Sequence, residues 1–217
     1  MVRFVFIDSA LETIPKEISR HPVILREAKR RGKKPEEIIL DDSKHYKAMR
    51  NLKDREKRGR PDIIHVCLLV LIDSLIDDLE IYVHTYDNKV IRIDRKTRIP
   101  RNYNRFIGLM EDLFKKGVIK ANGLKLLEIT DLGLEDVLDG RIIVMKEGGK
   151  PVTPEDVVNC STICIGGFQH GDFSEHAYNV FKRKKAEFVG FGKRPLTSLY
   201  VTFKTVCMIE GFFNLTL

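Results

Sequence analysis

Residues Pro61 to Ile72 read PDIIHVCLLVLI, and a helix made of them is apolar on nearly every face. A helix of that kind has to be buried, so the rest of the chain must pack around it. Pro61 lacks a backbone N–H and suits a first helical turn; the apolar run predicts a helix from Pro61 to about Ile76. Burial would hold Arg60 and Asp62 rigidly at one edge of the core. Further on, TRIPRNYNRF brings Arg98, Arg101 and Arg105 to the start of another helix, predicted from Asn102 to Lys116. That helix places Phe106, Leu109, Met110 and Leu113 on one face and ends at Gly117. Cations at a helix start oppose the macrodipole and need an anion to offset the cost. Three arginines there point to a polyanion site.

The chain has 217 residues, enough for one large domain or two small ones, and can bury a full core. Its 43% hydrophobic and 32% charged residues are those of an ordinary globular protein, and no apolar run approaches the roughly 20 residues that span a bilayer. The opening MVRFVFIDS reads as a β-strand rather than a signal peptide, so a cytoplasmic protein with no membrane partner is expected. All four cysteines (Cys67, Cys160, Cys164, Cys207) lie in apolar segments and are expected to be buried thiols. The net charge of +7 is concentrated: Arg26 to Arg60 hold 14 Lys or Arg against 7 Asp or Glu, and the remainder balances. A basic surface localised in this way favours nucleic acid as the partner. The Lys-, Glu- and Ile-rich composition without Trp resembles that of proteins from hot habitats.

In chain order, Val2 to Asp8 is a strand, and Ser9-Ala10-Leu11-Glu12 has the spacing of a capping box. Pro15 to Arg20 and Val23 to Arg31 read as short helices, with a third capped by Asp41-Asp42-Ser43 and running through Leu52. Lys53 to Gly59 is a charged loop. Glu80 to Thr85 and Lys89 to Asp94 alternate across Asp87-Asn88 as a hairpin within 79–95. Continuous apolar runs at Leu126–Thr130, Ile142–Met145, Thr162–Ile165 and Glu187–Gly190 predict buried parallel strands. Thr197 to Phe212 reads as a final helix. With no repeat or low-complexity linker, the expectation is one α/β domain with an inserted hairpin.

Two glycine-bearing loops end the last two strands: Ile165 to Gly171 and Gly190 to Leu196. Gly166 and Gly171 have the spacing of a phosphate loop, but Asp172-Phe173 follows where Lys and Ser or Thr are required. The dinucleotide fingerprint fails at Phe168. Two backbone-exposing turns remain at strand ends where open α/β sheets bind ligands, or where chains simply turn. Cys160, Cys164, His170 and His176 do not make a zinc site: four residues of strand separate the two cysteines by roughly 13 Å, too far for two ligands at about 2.3 Å from one ion. His65 reads as a hydrogen-bonded core residue. Asp62 is either a helix-start carboxylate paired with Arg60 or one that accepts a proton from a substrate.

RPDIIHVCLLVLIDS, TRIPRNYNRFIGLMEDLF, IGGFQHGDFS and a Pro-Leu-Thr-Ser segment opening the last helix occur in that order. Together they resemble the archaeal and eukaryotic ribosome-biogenesis factor that methylates N1 of a pseudouridine in small-subunit ribosomal RNA. The resemblance implies a SPOUT-type fold: a mostly parallel sheet flanked by helices, with a C-terminal trefoil knot in 160–217. It implies S-adenosyl-L-methionine as cofactor, bound through Gly166, Gly171, Phe191, Gly192, Leu196, Thr197 and Ser198. It also implies RNA binding by Arg60, Arg98, Arg101 and Arg105, with Asp62 and Arg60 in the catalytic site. The implied partners are a small-subunit rRNA hairpin, a second copy in a homodimer, and ribosomal proteins or other assembly factors. Alternatively, the chain is a non-catalytic rRNA-binding assembly factor, which would have no need of the cofactor.

Overall fold

The computed structural model describes residues 1–215; the last two residues of the range 160–217 expected to be knotted lie outside it. Eight strands form one sheet in the order β4-β5-β3-β2-β1-β7-β6-β8. They are β1 (Val2–Ser9), β2 (Leu79–Thr85), β3 (Val90–Ile93), β4 (Val118–Ala121), β5 (Leu124–Thr130), β6 (Ile142–Pro151), β7 (Thr162–Gly166) and β8 (Glu187–Gly190). The helices are α1 (Pro22–Arg31), α2 (Asp42–His45), α3 (Pro61–Asp73), α4 (Tyr103–Lys116), α5 (Leu134–Val137), α6 (Pro154–Val158), α7 (Glu175–Arg183) and α8 (Ser198–Phe212).

β1 is central, and its period of two sorts its side chains between two cores. Phe4 and Phe6 join the core built with α3, α4, α6 and α8; Val5 and Ile7 join the core under α5 and α7. Within α3, Ile64, Cys67, Leu68 and Leu71 are fully enclosed, while Val66, Leu69, Val70 and Ile72 are half-buried against the same core. Fully enclosing one such side chain contributes about 1.5–3 kcal/mol. The expected hairpin is present and built into the sheet: β2 pairs in parallel with β1, and β3 returns antiparallel.

Several expectations are corrected. α3 stops at Asp73, because Ser74 is extended and the Arg95 guanidinium takes the carbonyls of Ile72 and Ser74. Pro15 to Arg20 is a run of turns, with Pro22 opening α1. The helix expected from Asp41 through Leu52 is α2 followed by one 3-10 turn at Ala48–Asn51. Ser9 opens no capped turn: its hydroxyl donates to Phe6 O, and Glu12 is spent on Arg58. Leu126–Thr130 falls in β5, which is antiparallel to both neighbours because β4 precedes it in a hairpin. Cys207 is exposed, and the other three cysteines are buried.

Residues 10–59 leave the end of β1 and return at α3 with a small core of their own: Ile14, Ile18, Ile24, Ala28, Ile38, Leu40, Ala48, Met49 and Leu52. Ion pairs join this excursion to the rest. Glu111 on α4, 2% exposed, accepts from both guanidinium nitrogens of Arg31, from Lys33 and from Ile39 N. Within the excursion itself, Glu12 holds Arg58 through two bonds of 2.7 Å and ties its two ends together.

Candidate active site

A cleft of about 270 Å³ opens at the carboxyl ends of β6, β7 and β8. Gly166, Gly171, Phe191, Gly192, Leu196 and Ser198 line it. Thr197, expected among them, instead caps α8, its hydroxyl accepting from Tyr200 N. Main chain shapes the cleft. Gly167 N donates to Ile7 O and Gly167 O accepts from Ala10 N, so the first turn is laced to the end of β1. A Cβ on Gly167 would collide with Ser9, and one on Gly190 with the Lys146 carbonyl. Gly148 N donates to Gly192 O, Val152 N to Gly190 O, and the Ser198 hydroxyl to Gly166 O, which ties both turns to β6 and to the start of α8. Exposed backbone beside Ile165, Phe191, Leu196 and Val201 is the donor set that fits a nucleoside with a polar tail: apolar walls for a flat ring, peptide groups for its edge.

The sequence reading missed a group of side chains at and beside this cleft. Lys146 donates to the Asp172 carboxylate and to the Tyr178 hydroxyl, and Tyr178 donates to Asp172 at 2.8 Å. Burial pushes the Asp172 carboxyl up, but Lys146 and Tyr178 more than offset it and hold it below the usual range. Lys57 reaches across to Asp172 O and lies over the Phe168 ring at 5.1 Å. Nothing in the Lys-rich run separates Lys57 from its neighbours. Asp8 could have been found from its place at a carboxyl strand end. It is 4% exposed with φ 51°, and both its oxygens accept from Ser174, the cap of α7.

Beside Asp8, His84 is fully buried; its Nδ1 faces Asp8 N at 3.3 Å and its Nε2 faces Asn88 at 3.2 Å. Burial lowers its pKa below the ordinary 6.5; Asp8 and Asn88 oppose that shift and His176 adds to it. A His whose folded pKa is depressed contributes stability above its unfolded value and loses it as pH falls toward the folded one. Melting temperature is therefore expected to fall from about pH 6.5 downward, and His84→Gln is expected to flatten that limb.

Arg60 lies at the same end of the molecule as the cleft. The Cys67 thiol meets the Thr202 hydroxyl, and Leu75 N donates to Glu210 at 2.7 Å. Two contacts with the same sequence offset mean that α3 and α8 run parallel in register. The residues level with Arg60 to Asp62 are then those around Pro195 to Thr197, at the cleft. Arg60 grips Asp62 through two bonds of 2.8 and 2.7 Å. Asp41, Asp42 and Tyr103 gather beside them, with Tyr103 donating to Asp41 at 2.8 Å. Burial, helped by Asp41 and Asp62 and opposed by Arg60, raises the Asp42 pKa. His65 stacks on Phe106 and bonds Pro100 O, which fixes the start of α4 against α3. Arg98, Arg101 and Arg105 are exposed, and Arg101 pairs at 2.9 Å with Asp73, at the other end of α3 from Arg60.

The profile of the family described as EMG1/NEP1 methyltransferase matches residues 4–210. The chain belongs to this family. A relative from Archaeoglobus fulgidus, called ribosomal RNA small subunit methyltransferase Nep1, is 48% identical over 211 residues, covering 95% of this chain and 94% of the relative. A relative of the same name from Staphylothermus marinus is 42% identical, covering 99% and 97%. A crystal structure of Archaeoglobus fulgidus Nep1 bound to S-adenosylhomocysteine superposes with a TM-score of 0.93 at 45% identity, with 99% of each chain covered. Membership in the EMG1/NEP1 family makes the chain a methyltransferase and its architecture SPOUT-type.

Proposed function

We propose that the protein methylates N1 of a pseudouridine in small-subunit ribosomal RNA, taking the methyl group from S-adenosyl-L-methionine bound in the cleft at the β6, β7 and β8 ends. The observation that carries this reading is the parallel packing of α3 on α8, which sets Arg60 and Asp62 level with the cleft. When bound, the cofactor supplies an electrophilic methyl group on a sulfonium. Gly166, Gly171, Phe191, Gly192, Leu196 and Ser198 would hold it, with Thr197 fixing the α8 start beneath. Pseudouridine N1 carries a proton and must lose it to become a nucleophile. Asp62, oriented by both bonds from Arg60, keeps lone pairs free to take that proton, and the guanidinium favours the anion that forms. Arg98, Arg101 and Arg105 hold the flanking phosphates, with Arg101 exchanging Asp73 for RNA.

The apolar outer side of α8, where Leu199, Tyr200 and Phe203 are exposed, supports a homodimer formed across it. The interlacing of both turns with β6 and α8 supports a knotted C-terminal region. No helix of the described residues is long and apolar enough to cross a membrane; action on rRNA, together with ribosomal proteins or assembly factors, is assigned to the cytoplasm.

The deciding experiment is methyl transfer to an RNA hairpin containing pseudouridine, with uridine at the same place as control. Transfer to the first alone is expected; transfer to neither, with no binding of S-adenosylhomocysteine, would leave the chain an assembly factor. Asp62→Asn is expected to lower kcat by about 10²–10⁴ at saturating RNA, and an unchanged kcat would leave Asp62 a structural partner of Arg60. Arg60→Ala and Arg101→Ala should weaken RNA binding and reduce the salt slope by about one each; an unchanged slope removes the phosphate role.

A further inference from the structure

A second cavity, of about 380 Å³, shares Phe173 with the cleft. Its floor is Asp8 at the end of β1, one wall is Tyr86 and Asn88 in the turn after β2, and another is His176 at the start of α7. Here the strands stay parallel but their connecting helices change face. β1 is flanked by β2 on one side and β7 on the other, and the helices serving them, α3 and α7, lie on opposite faces. Open α/β sheets bind ligands in crevices of this kind, outside carboxyl strand ends. The volume is within the range of small-molecule pockets, about 300–1,000 Å³.

The lining argues against a simple anion. Asp8, Asp54 and Glu175 stand against Lys53 and Lys57, so a bare phosphate finds no net positive charge there. The Asp8 oxygens are already taken by Ser174, and Asp54 accepts from the Tyr86 hydroxyl at 3.0 Å. The Tyr86 ring is backed on one face by the Arg58 guanidinium, 4.4 Å from its centroid, and contributes to the cavity lining. The Asn88 carbonyl oxygen is engaged by His84, and its amide N–H₂ can still donate. His176 is exposed beside them. A flat ring, an amide donor and an imidazole are what a planar heterocycle with a polar edge requires.

We infer that this cavity receives an unpaired nucleobase of the substrate RNA, one that neighbours the methylated nucleotide and is splayed out to stack on Tyr86. The inference rests on the RNA-methyltransferase reading and adds to it a sequence-reading subsite. Continuity of the chain supports the placement: Lys53 and Lys57 rim the cavity, Lys57 also packs on Gly171 of the cleft, and three residues later stands Arg60. An RNA strand following this basic ridge passes the cavity on its way to the arginines, with its phosphates on the lysines and its base directed inward.

The test is RNA affinity for a set of hairpins, each with one abasic nucleotide near the target, measured on the wild type and on the Tyr86→Ala, Tyr86→Phe and His176→Ala variants. One abasic position is expected to weaken wild-type binding about tenfold, toward the low end of a base–aromatic stack. Tyr86→Ala should lose the same factor on intact RNA and nothing further on that abasic RNA, and Tyr86→Phe should keep most of the affinity. Affinity for S-adenosylhomocysteine without RNA should be unchanged in all of them. Tyr86→Ala could disturb Arg58; His176→Ala, at an exposed position, runs the same cycle without that risk and should show a smaller coupling to the same nucleotide. Wild-type affinity in both alanine variants, or an equal loss on every hairpin, would overturn the inference. A wild type that binds S-adenosylhomocysteine but neither binds nor methylates any hairpin would instead overturn the parent reading, and the subsite with it.

Discussion

Glu12→Ala is expected to lower the melting temperature by about 10 °C. Glu12 and Arg58 are both buried, at 3% and 7% exposure, and meet through two parallel bonds of 2.7 Å. Removing one partner of such a pair leaves an uncompensated charge and costs about 3–5 kcal/mol; for a chain of this size each kcal/mol shifts the midpoint by about 2–4 °C. The double variant Glu12→Met/Arg58→Met tests the cause, because replacing both charges with apolar groups removes the stranded cation. It should recover most of the loss, and a double variant as unstable as the single would show that packing around Glu12 matters instead. RNA affinity should fall in the single variant too, since Arg58 lies between Lys57 at the cleft and Arg60 at the α3 start.

Gly190→Ala is expected to abolish measurable S-adenosylhomocysteine binding while the fold survives. The added Cβ points into the Lys146 carbonyl, a backbone atom that cannot swing aside. β6 and β8 must separate to admit it, and overpacking of this sort costs about 1–3 kcal/mol. That strain falls on the turns that shape the cleft. The contrast is Gly108→Ala inside α4, where a Cβ meets nothing within 4 Å; it should stabilise the protein by about 0.5–1 kcal/mol and leave affinity untouched. Calorimetric titration of both variants decides the matter, and tight binding by Gly190→Ala would mean that the turn is free to adjust.

The central helix was legible because Pro61 marks its start and the apolar residues after it leave burial as the only option. Its end was not. Ser74-Leu75-Ile76 continues the apolar run, and the group that terminates α3 is Arg95, which arrives from beyond β3. The direction of β5 was misread because a continuous apolar run is compatible with either kind of sheet. The signal that decides it is the Asn122-Gly123 turn, both residues at positive φ, which makes β4 and β5 a hairpin. The glycine turns of the cleft were visible as strand-end loops, and the arginines as an electrostatic oddity at a helix start. Lys57, Lys146, Asp172 and Tyr178 were not visible, since their meeting depends on how three distant segments fold over one another.

The excursion of residues 10–59 is joined to α4 by a charge cluster, with Glu111 holding Arg31 and Lys33, and its own two ends are tied together by Glu12 on Arg58. A junction of this kind responds to heat in its own way. The hydration that competes with ion pairs weakens as temperature rises, whereas the gain per unit of apolar contact levels off. The basic excursion is therefore fastened to α4 by contacts that lose least on warming, and it should stay docked close to the temperature at which the sheet itself melts.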